Sequence, residues 1–278
     1  MVKLYAEALD KEVEVPDSPQ RIVSLAPAIT EILFMLGLEE RVAGVSIYCN
    51  KPPQAREKPK VGSYWKVLYS KLEPLKPDLI LVTTGAQLVA LRELVQKGYT
   101  VFPISLPVTL PGLFEYVIKV GAVVGELERA RELARRLEEE ARALRGALTG
   151  LKVHYEIDLG GPVSPGGVSY IADSFHYMGA RSTFDQLRES WVISPSSEAI
   201  VQFDPDVFGY EFQLGVPLEE SWLRPRLEAR GLGGLRAVRE GLILMEYDSL
   251  AHYGPSFFKA LRAFVERVKR RRGEPLPW

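Results

Sequence analysis

"GELERARELARRLEEEARALRGALTG", Gly125–Gly150, is the stretch on which the reading of the fold turns. Leu127, Ala130, Leu133, Leu137, Ala141, Leu144 and Leu148 recur three and four residues apart, with Glu and Arg elsewhere. That spacing lines one face of an α-helix, and no Gly or Pro interrupts Glu126–Arg145. About 20 residues make a rod of roughly 30 Å, long enough to cross one domain and reach another. The expected fold is α/β: an N-terminal lobe over residues 1–124, a rigid bridging helix over 125–148 and a C-terminal lobe over 149–278. Each lobe should have a parallel-type central sheet, with a ligand cleft between the lobes.

On the N-terminal side of the rod, strands are expected at Ile22–Leu25, Val42–Ser46, Leu79–Thr83 and Thr100–Ser105, and helices at Pro27–Leu36, Gln87–Lys97 and Leu110–Val124. Continuous apolar runs such as "LILV" between amphipathic helices indicate a parallel sheet covered on both faces. In "RIVSLAPAITEILFMLGL" (Arg21–Leu38) the strand runs almost directly into the helix. That turn has no glycine, and Glu31, read as lying in the first helical turn, would repel an anion, which excludes a phosphate cradle. Beyond the rod, strands are expected near Val153–Asp158, Val207–Tyr210 and Leu242–Tyr247, and helices near Ser169–Met178, Ser196–Gln202 and Pro255–Arg271. "LEPLKPDLILV" (Leu72–Val82) and "AIVQFDPDVFGY" (Ala199–Tyr210) each read as a short helix, a Pro-Asp turn and a buried strand. Their recurrence suggests two lobes of similar design.

Composition narrows the function. The 278 residues carry 35 Lys and Arg against 36 Asp and Glu, a net charge of −1, which gives no global field for nucleic acid. The basic run "KRRRG" (Lys269–Gly273) reads as a solvated helix end. A single cysteine, Cys49, excludes an internal disulfide and every CxxC motif. "MVKLYAEALDKEVEVPDSPQ" is too polar and acidic for a secretory signal. Catalytic constellations are weak. "GGVSY" lacks the last glycine of a nucleophile elbow, so Ser169 reads as a helix N-terminal residue. "GLGGLR" reads as a helix stop, and the three histidines are scattered, so neither an enzyme nor a metal site is expected.

Aromatic residues gather in the loops instead. Tyr48, Tyr64, Trp65 and Tyr69 fall in a long proline-rich connection, and Trp191, Tyr210, Phe212, Trp222, Tyr247 and Tyr253 fall in the second half. As a set they would form a flat, apolar clamp with hydrogen-bonding rims, suited to a large planar or macrocyclic ligand.

"RIVSLAPAITEILFMLGL", "VAGVSIYCNKPPQA", "VGSYWKVLYSKLEPLKPDLILV" and "LRAVREGLILMEYD" together resemble the substrate-binding proteins of ABC importers for cobalamin, haem and iron-siderophores. The resemblance spans roughly Arg21–Val268 and is closest to the corrinoid binders. It implies a non-enzymatic, monomeric protein, without an intrinsic cofactor, that delivers cobalamin or a related tetrapyrrole to an ABC permease. Haem or siderophore binding, or a cytosolic tetrapyrrole or metal-cofactor binding protein, are the alternatives it leaves open. The implied ligand-facing residues are Tyr48, Tyr64, Trp65, Thr83, Trp191, Tyr210, Asp248 and His252, the last where relatives carry arginine. Permease docking is implied at Glu198 and Glu73, with Ser70 at the usual first-lobe acid position. The implied address is periplasmic or extracytoplasmic, with a cytoplasmic one as the alternative.

Overall fold

The computed structural model describes residues 1–212 and 219–276. The chain divides into two compact units, one of Met1–Pro107 with Leu113–Glu138, the other of Val108–Gly112 with Glu139–Trp278.

The first unit opens with an antiparallel hairpin, β1 (Val2–Ala6) and β2 (Lys11–Val15). It continues through β3 (Ile22–Ser24), α1 (Pro27–Met35), β4 (Val42–Val45), α2 (Tyr69–Leu72), β5 (Leu79–Thr83), α3 (Leu88–Gln96) and β6 (Val101–Ile104). The helices α4 (Leu110–Val123) and α5 (Leu127–Arg142) follow in the chain, with the start of α4 and the end of α5 counted in the second unit. The sheet runs β4-β3-β5-β6, all parallel. Every residue of β3, β5 and β6 is buried, as continuous apolar runs require of a sheet covered on both faces. Glu31 lies just past the first turn of α1, which holds no acid, and is buried. That corrects the repulsion argument, although the turn still lacks glycine.

The rod is shorter than expected. α5 has 16 residues, about 24 Å at the helical rise. Beyond it the chain turns, at Gly146 with φ +71°, and Gly146 and Leu148 donate their N–H groups to the carbonyls of Tyr177 and Met178. The apolar spacing ran on because Leu144 and Leu148 are buried from within those turns. Gly121 of α4 is required by close packing: a Cβ there would lie 2.1 Å from that of Ala130 in α5.

The second unit contains β7 (Lys152–Asp158), β8 (Pro162–Pro165), α6 (Tyr170–Tyr177), β9 (Arg181–Ser182), β10 (Trp191–Ile193), α7 (Ser197–Phe203), β11 (Val207–Phe212), α8 (Glu220–Ala229), α9 (Arg236–Arg239), β12 (Ile243–Tyr247) and α10 (Ser256–Arg272). Its sheet is mixed. β7, β11 and β12 are parallel, and β8 and β10 add an antiparallel extension in the order β10-β8-β7-β11-β12. Ser169 caps α6 and Ser196 caps α7, each hydroxyl accepting an N–H from three residues on. The basic run ends α10: Lys269 pairs with Glu274, and Arg271 donates to the exposed-edge carbonyl of Ile243 at 2.6 Å. Covering an edge strand in this way blocks pairing with another chain.

The repeated Pro-Asp motif forms the same tie in both units. Asp78 accepts the N–H groups of Gln20 and Arg21 at 2.7 and 2.9 Å, and Arg21 Nε donates to Lys76 O at 2.6 Å. Asp206 accepts the N–H of Lys152 at 2.8 Å, and Lys152 Nζ donates to Phe203 O at 2.7 Å. In each case the turn's aspartate fixes the start of the neighbouring strand, so the motif sets strand register.

Candidate functional site

At the carboxyl end of the first sheet, β4 gives way to a long loop held in place by its backbone. Val45 and Val61 are joined by an N–H···O bond of 3.0 Å, and Lys60 Nζ donates to Ala55 O at 2.9 Å and Cys49 O at 3.3 Å. Cys49 itself is buried, and burial pushes its thiol up, away from reactivity. The loop then reverses in a tight turn closed by Ser63 N donating to Lys66 O at 2.8 Å, with Tyr64 and Trp65 at its tip. Gly62 is required there, because a Cβ would sit 2.3 Å from Lys66 O.

That turn sets three rings together. Tyr64 stacks on Tyr48 with centroids 4.8 Å apart and planes 17° from parallel, and Trp65 meets Tyr64 edge-on at 6.0 Å. Tyr48 is 38% exposed and Trp65 58% exposed, an unusual degree of wetting for rings already organised against one another. Thr83 takes no part. It is buried, its hydroxyl donates to Ile104 O at 3.2 Å, and its N–H is accepted by Gln87 Oε1 at 2.8 Å. Gln87 also donates to Leu25 O at 2.6 Å, so the strand ends of β3, β5 and β6 are tied by buried side chains.

In the second unit Trp191, half-buried at the start of β10, meets Tyr170 edge-on at 6.4 Å. Tyr170 is buried, and its hydroxyl lies 2.9 Å from the carbonyls of both Leu250 and Ala251. Asp248 is exposed directly after β12, at φ +38°, and His252 is buried four residues on. Glu211, buried on β11, accepts the N–H of Ser249 at 2.8 Å, the N–H of Ala251 at 3.0 Å and the Tyr155 hydroxyl at 2.7 Å. Burial pushes its carboxyl up, opposed by those three hydrogen bonds, and the nearby Asp248 charge adds to the rise. Tyr210 packs in the core, its hydroxyl donates to Asp158 at 3.2 Å, and desolvation holds that phenol well above its ordinary range.

On the opposite face of β7 lies a buried charge cluster. Arg230 pairs with both oxygens of Glu156 at 2.7 Å, and His154 bridges Glu156 Oε1 at 3.0 Å and Thr183 Oγ1 at 2.8 Å. Burial would raise the Glu156 carboxyl, but the bonds from Arg230 and His154 prevail and hold it at about 2.

Glu198 is exposed in the first turn of α7, where the Ser196 hydroxyl donates to it at 2.7 Å and holds its carboxyl below the ordinary range. Glu73 and Ser70 are exposed on the α2 segment. Asp173 accepts the N–H of Leu110 at 2.7 Å. Among the described residues there is no group of three or more His, Cys, Asp or Glu that could hold a metal ion, and no helix long and apolar enough to cross a membrane.

Sequence reasoning missed Gln87, Tyr170 and Glu211. The signal for Glu211 was present: an acid inside the apolar strand "VFGYEF" needs a buried partner.

A substrate-binding lipoprotein of an ABC transporter from Bacillus subtilis (strain 168), YvrC, itself uncharacterized, is 25% identical over 209 residues, 72% of this chain and 66% of that protein. A vitamin B12-binding protein of Vibrio cholerae is 39% identical over 88 residues, 31% of this chain and 32% of that protein. The chain therefore spans less than two thirds of the length of either relative. The periplasmic heme-binding protein RhuT from Roseiflexus sp. RS-1, in apo form, superposes with a TM-score of 0.75 at 22% identity, covering 91% of this chain and 98% of that one, which is a likeness of fold. The family model described as periplasmic binding protein matches residues 22–209, more than half of the chain, and the α/β units carrying these loops thus belong to a member of the periplasmic binding protein family.

Proposed function

We propose that this chain is the substrate-binding protein of an ABC importer and that its ligand is a corrinoid of the cobalamin type. The observation that carries the reading is the stack of exposed Tyr48 on half-buried Tyr64, with exposed Trp65 edge-on beside it. Such rings offer flat apolar area to a macrocycle, while their hydroxyl and indole N–H groups meet a polar rim. Trp191 and the Asp248 loop supply the second unit's share, with Asp248 and His252 toward the ligand's polar side chains. The name of the Vibrio cholerae relative points to the same ligand class. Exposed Glu198 and Glu73 are the proposed permease contacts, and a periplasmic or extracytoplasmic address follows from that role.

The test is calorimetric titration with cyanocobalamin, alongside haemin as the competing tetrapyrrole. Saturable heat with a Kd of micromolar or tighter is expected, and Tyr48→Ala and Trp191→Ala should each weaken it by about 2 kcal/mol, roughly 30-fold. No heat with cyanocobalamin would overturn the corrinoid reading. Heat with haemin alone would replace it with the haem one.

A further inference from the structure

Ser249, Leu250 and Ala251 are gripped from two sides by buried side chains that belong to different elements. Glu211 of β11 takes the N–H groups of Ser249 and Ala251, one on each carboxylate oxygen, and the Leu250 N–H between them faces the Tyr155 hydroxyl. Tyr170 of α6 sits against the carbonyls of Leu250 and Ala251, with its ring edge-on to Trp191. The grip on the N–H side is itself supported. Tyr155 donates to Glu211, and the Tyr155 ring lies over Gly209, where a Cβ would stand 2.3 Å from Cδ2. A charged carboxylate far from water is expensive unless its oxygens are occupied. Here they accept three donors, and two of these are loop backbone.

We propose that Glu211 is a positioning residue: from inside the second unit it fixes the backbone of Ser249–Ala251 and thereby sets where Asp248 and His252 stand. The consequence for ligand binding rests on the reading above, that this loop faces the ligand. The backbone grip does not. Asp248 at φ +38° marks where the chain leaves the regular strand for the held segment. The Glu211 carboxyl is the group that ties that segment to the sheet.

Hydrogen exchange of the Ser249 and Ala251 amides tests the grip, with β11 and β12 amides as internal controls. Glu211→Gln turns an accepting oxygen into an N–H donor facing an N–H, so protection of the loop amides should fall about tenfold or more while the strand amides hold. Glu211→Asp, one methylene shorter with the charge kept, should do the same and serves if the first variant does not fold. Tyr155→Phe leaves both Glu211 bonds and removes only the hydroxyl facing the Leu250 N–H, so the protection of the Ser249 and Ala251 amides should change by no more than about twofold. Loop amides as protected in Glu211→Gln and Glu211→Asp as in the parent would overturn the proposal. A cyanocobalamin titration separates it from the functional reading. Loss of protection with no binding by the parent sinks the corrinoid ligand and leaves the grip. Loss of protection with binding by the parent and undiminished affinity in the variants sinks the positioning role.

Discussion

Counted from the Asp78 and Asp206 ties, Val23 and Leu25 of the first unit hold the strand positions that His154 and Glu156 hold in the second. Both pairs are fully buried and both strands lie inside their sheets, β3 between two parallel neighbours and β7 between parallel β11 and antiparallel β8. The first unit fills that face with aliphatic side chains; the second fills it with a carboxylate, an imidazole and the guanidinium of Arg230. A shared frame therefore does not imply a shared response to mutation or pH. The apolar face is indifferent to protons and tolerant of volume-conserving changes. The charged face is held by partners that must all be present.

The largest effect is expected where that difference is removed from one side. Glu156→Ala leaves Arg230 and His154 without their acceptor, and breaking a buried pair in this way costs about 3 kcal/mol or more. Urea unfolding should show the loss. A loss under about 1 kcal/mol would mean that the cluster is as neutral as the aliphatic face it replaces.

Acid should separate the units next. The Glu156 carboxyl sits at about 2 in the folded chain against an ordinary 4.5. A depressed carboxylate contributes stability that is complete above its unfolded value and is lost as pH falls through the folded one, here between about 4.5 and 2. The contribution is on the order of 3 kcal/mol. Glu211 runs the opposite way: its raised value means that protonation favours the folded state, so its effect opposes that of Glu156. The informative quantity is the difference between the parent and Glu156→Gln across that window. It should shrink toward pH 2, and a difference that stays flat would show that the carboxyl is not held down.

The ties themselves should give the smaller contrast. Asp206→Ala strips Lys152 N of its acceptor and also takes from Arg236, which donates to Asp206 at 2.6 Å, one of its two carboxylate partners, Asp204 being the other. Asp78→Ala strips the N–H groups of Gln20 and Arg21 at a less buried site. Losses of about 2 and about 1 kcal/mol are expected, in that order. The reverse order would mean that the tie rather than its burial decides the outcome.

Much of this frame could be read from the chain alone, because buried parallel strands are short apolar runs and their helices carry caps such as Ser169 and Ser196. The N-terminal hairpin escaped notice because β1 and β2 bury only Ala6 and Val15 and are otherwise rich in Lys and Glu. β8 and β10 escaped because Pro162, Pro165, Gly166 and Gly167 read as loop. In fact a Cβ on either glycine would strike the backbone of Glu189 or Asp185. At the candidate site, the Tyr48, Tyr64 and Trp65 group follows from aromatic residues in a proline-rich loop. The burial of Thr83 and Tyr210 was not legible, because pattern fixes which face of a strand a side chain takes, and not whether anything covers that face.

The smallest stability effect should fall on one of the rings proposed to meet the ligand. Trp65 is 58% exposed and meets Tyr64 edge-on, so Trp65→Ala removes little buried surface. The change in unfolding free energy should stay within about 0.5 kcal/mol. A ring kept wet at the tip of a turn that demands Gly62 is hard to explain by packing, because packing would have covered it. If Trp65→Ala proved destabilising by more than about 1 kcal/mol, the ring would be part of the unit's own structure. The stack beside it would then lose its claim to be a surface held ready for a ligand, and the first unit would differ from the second only in the chemistry of its core.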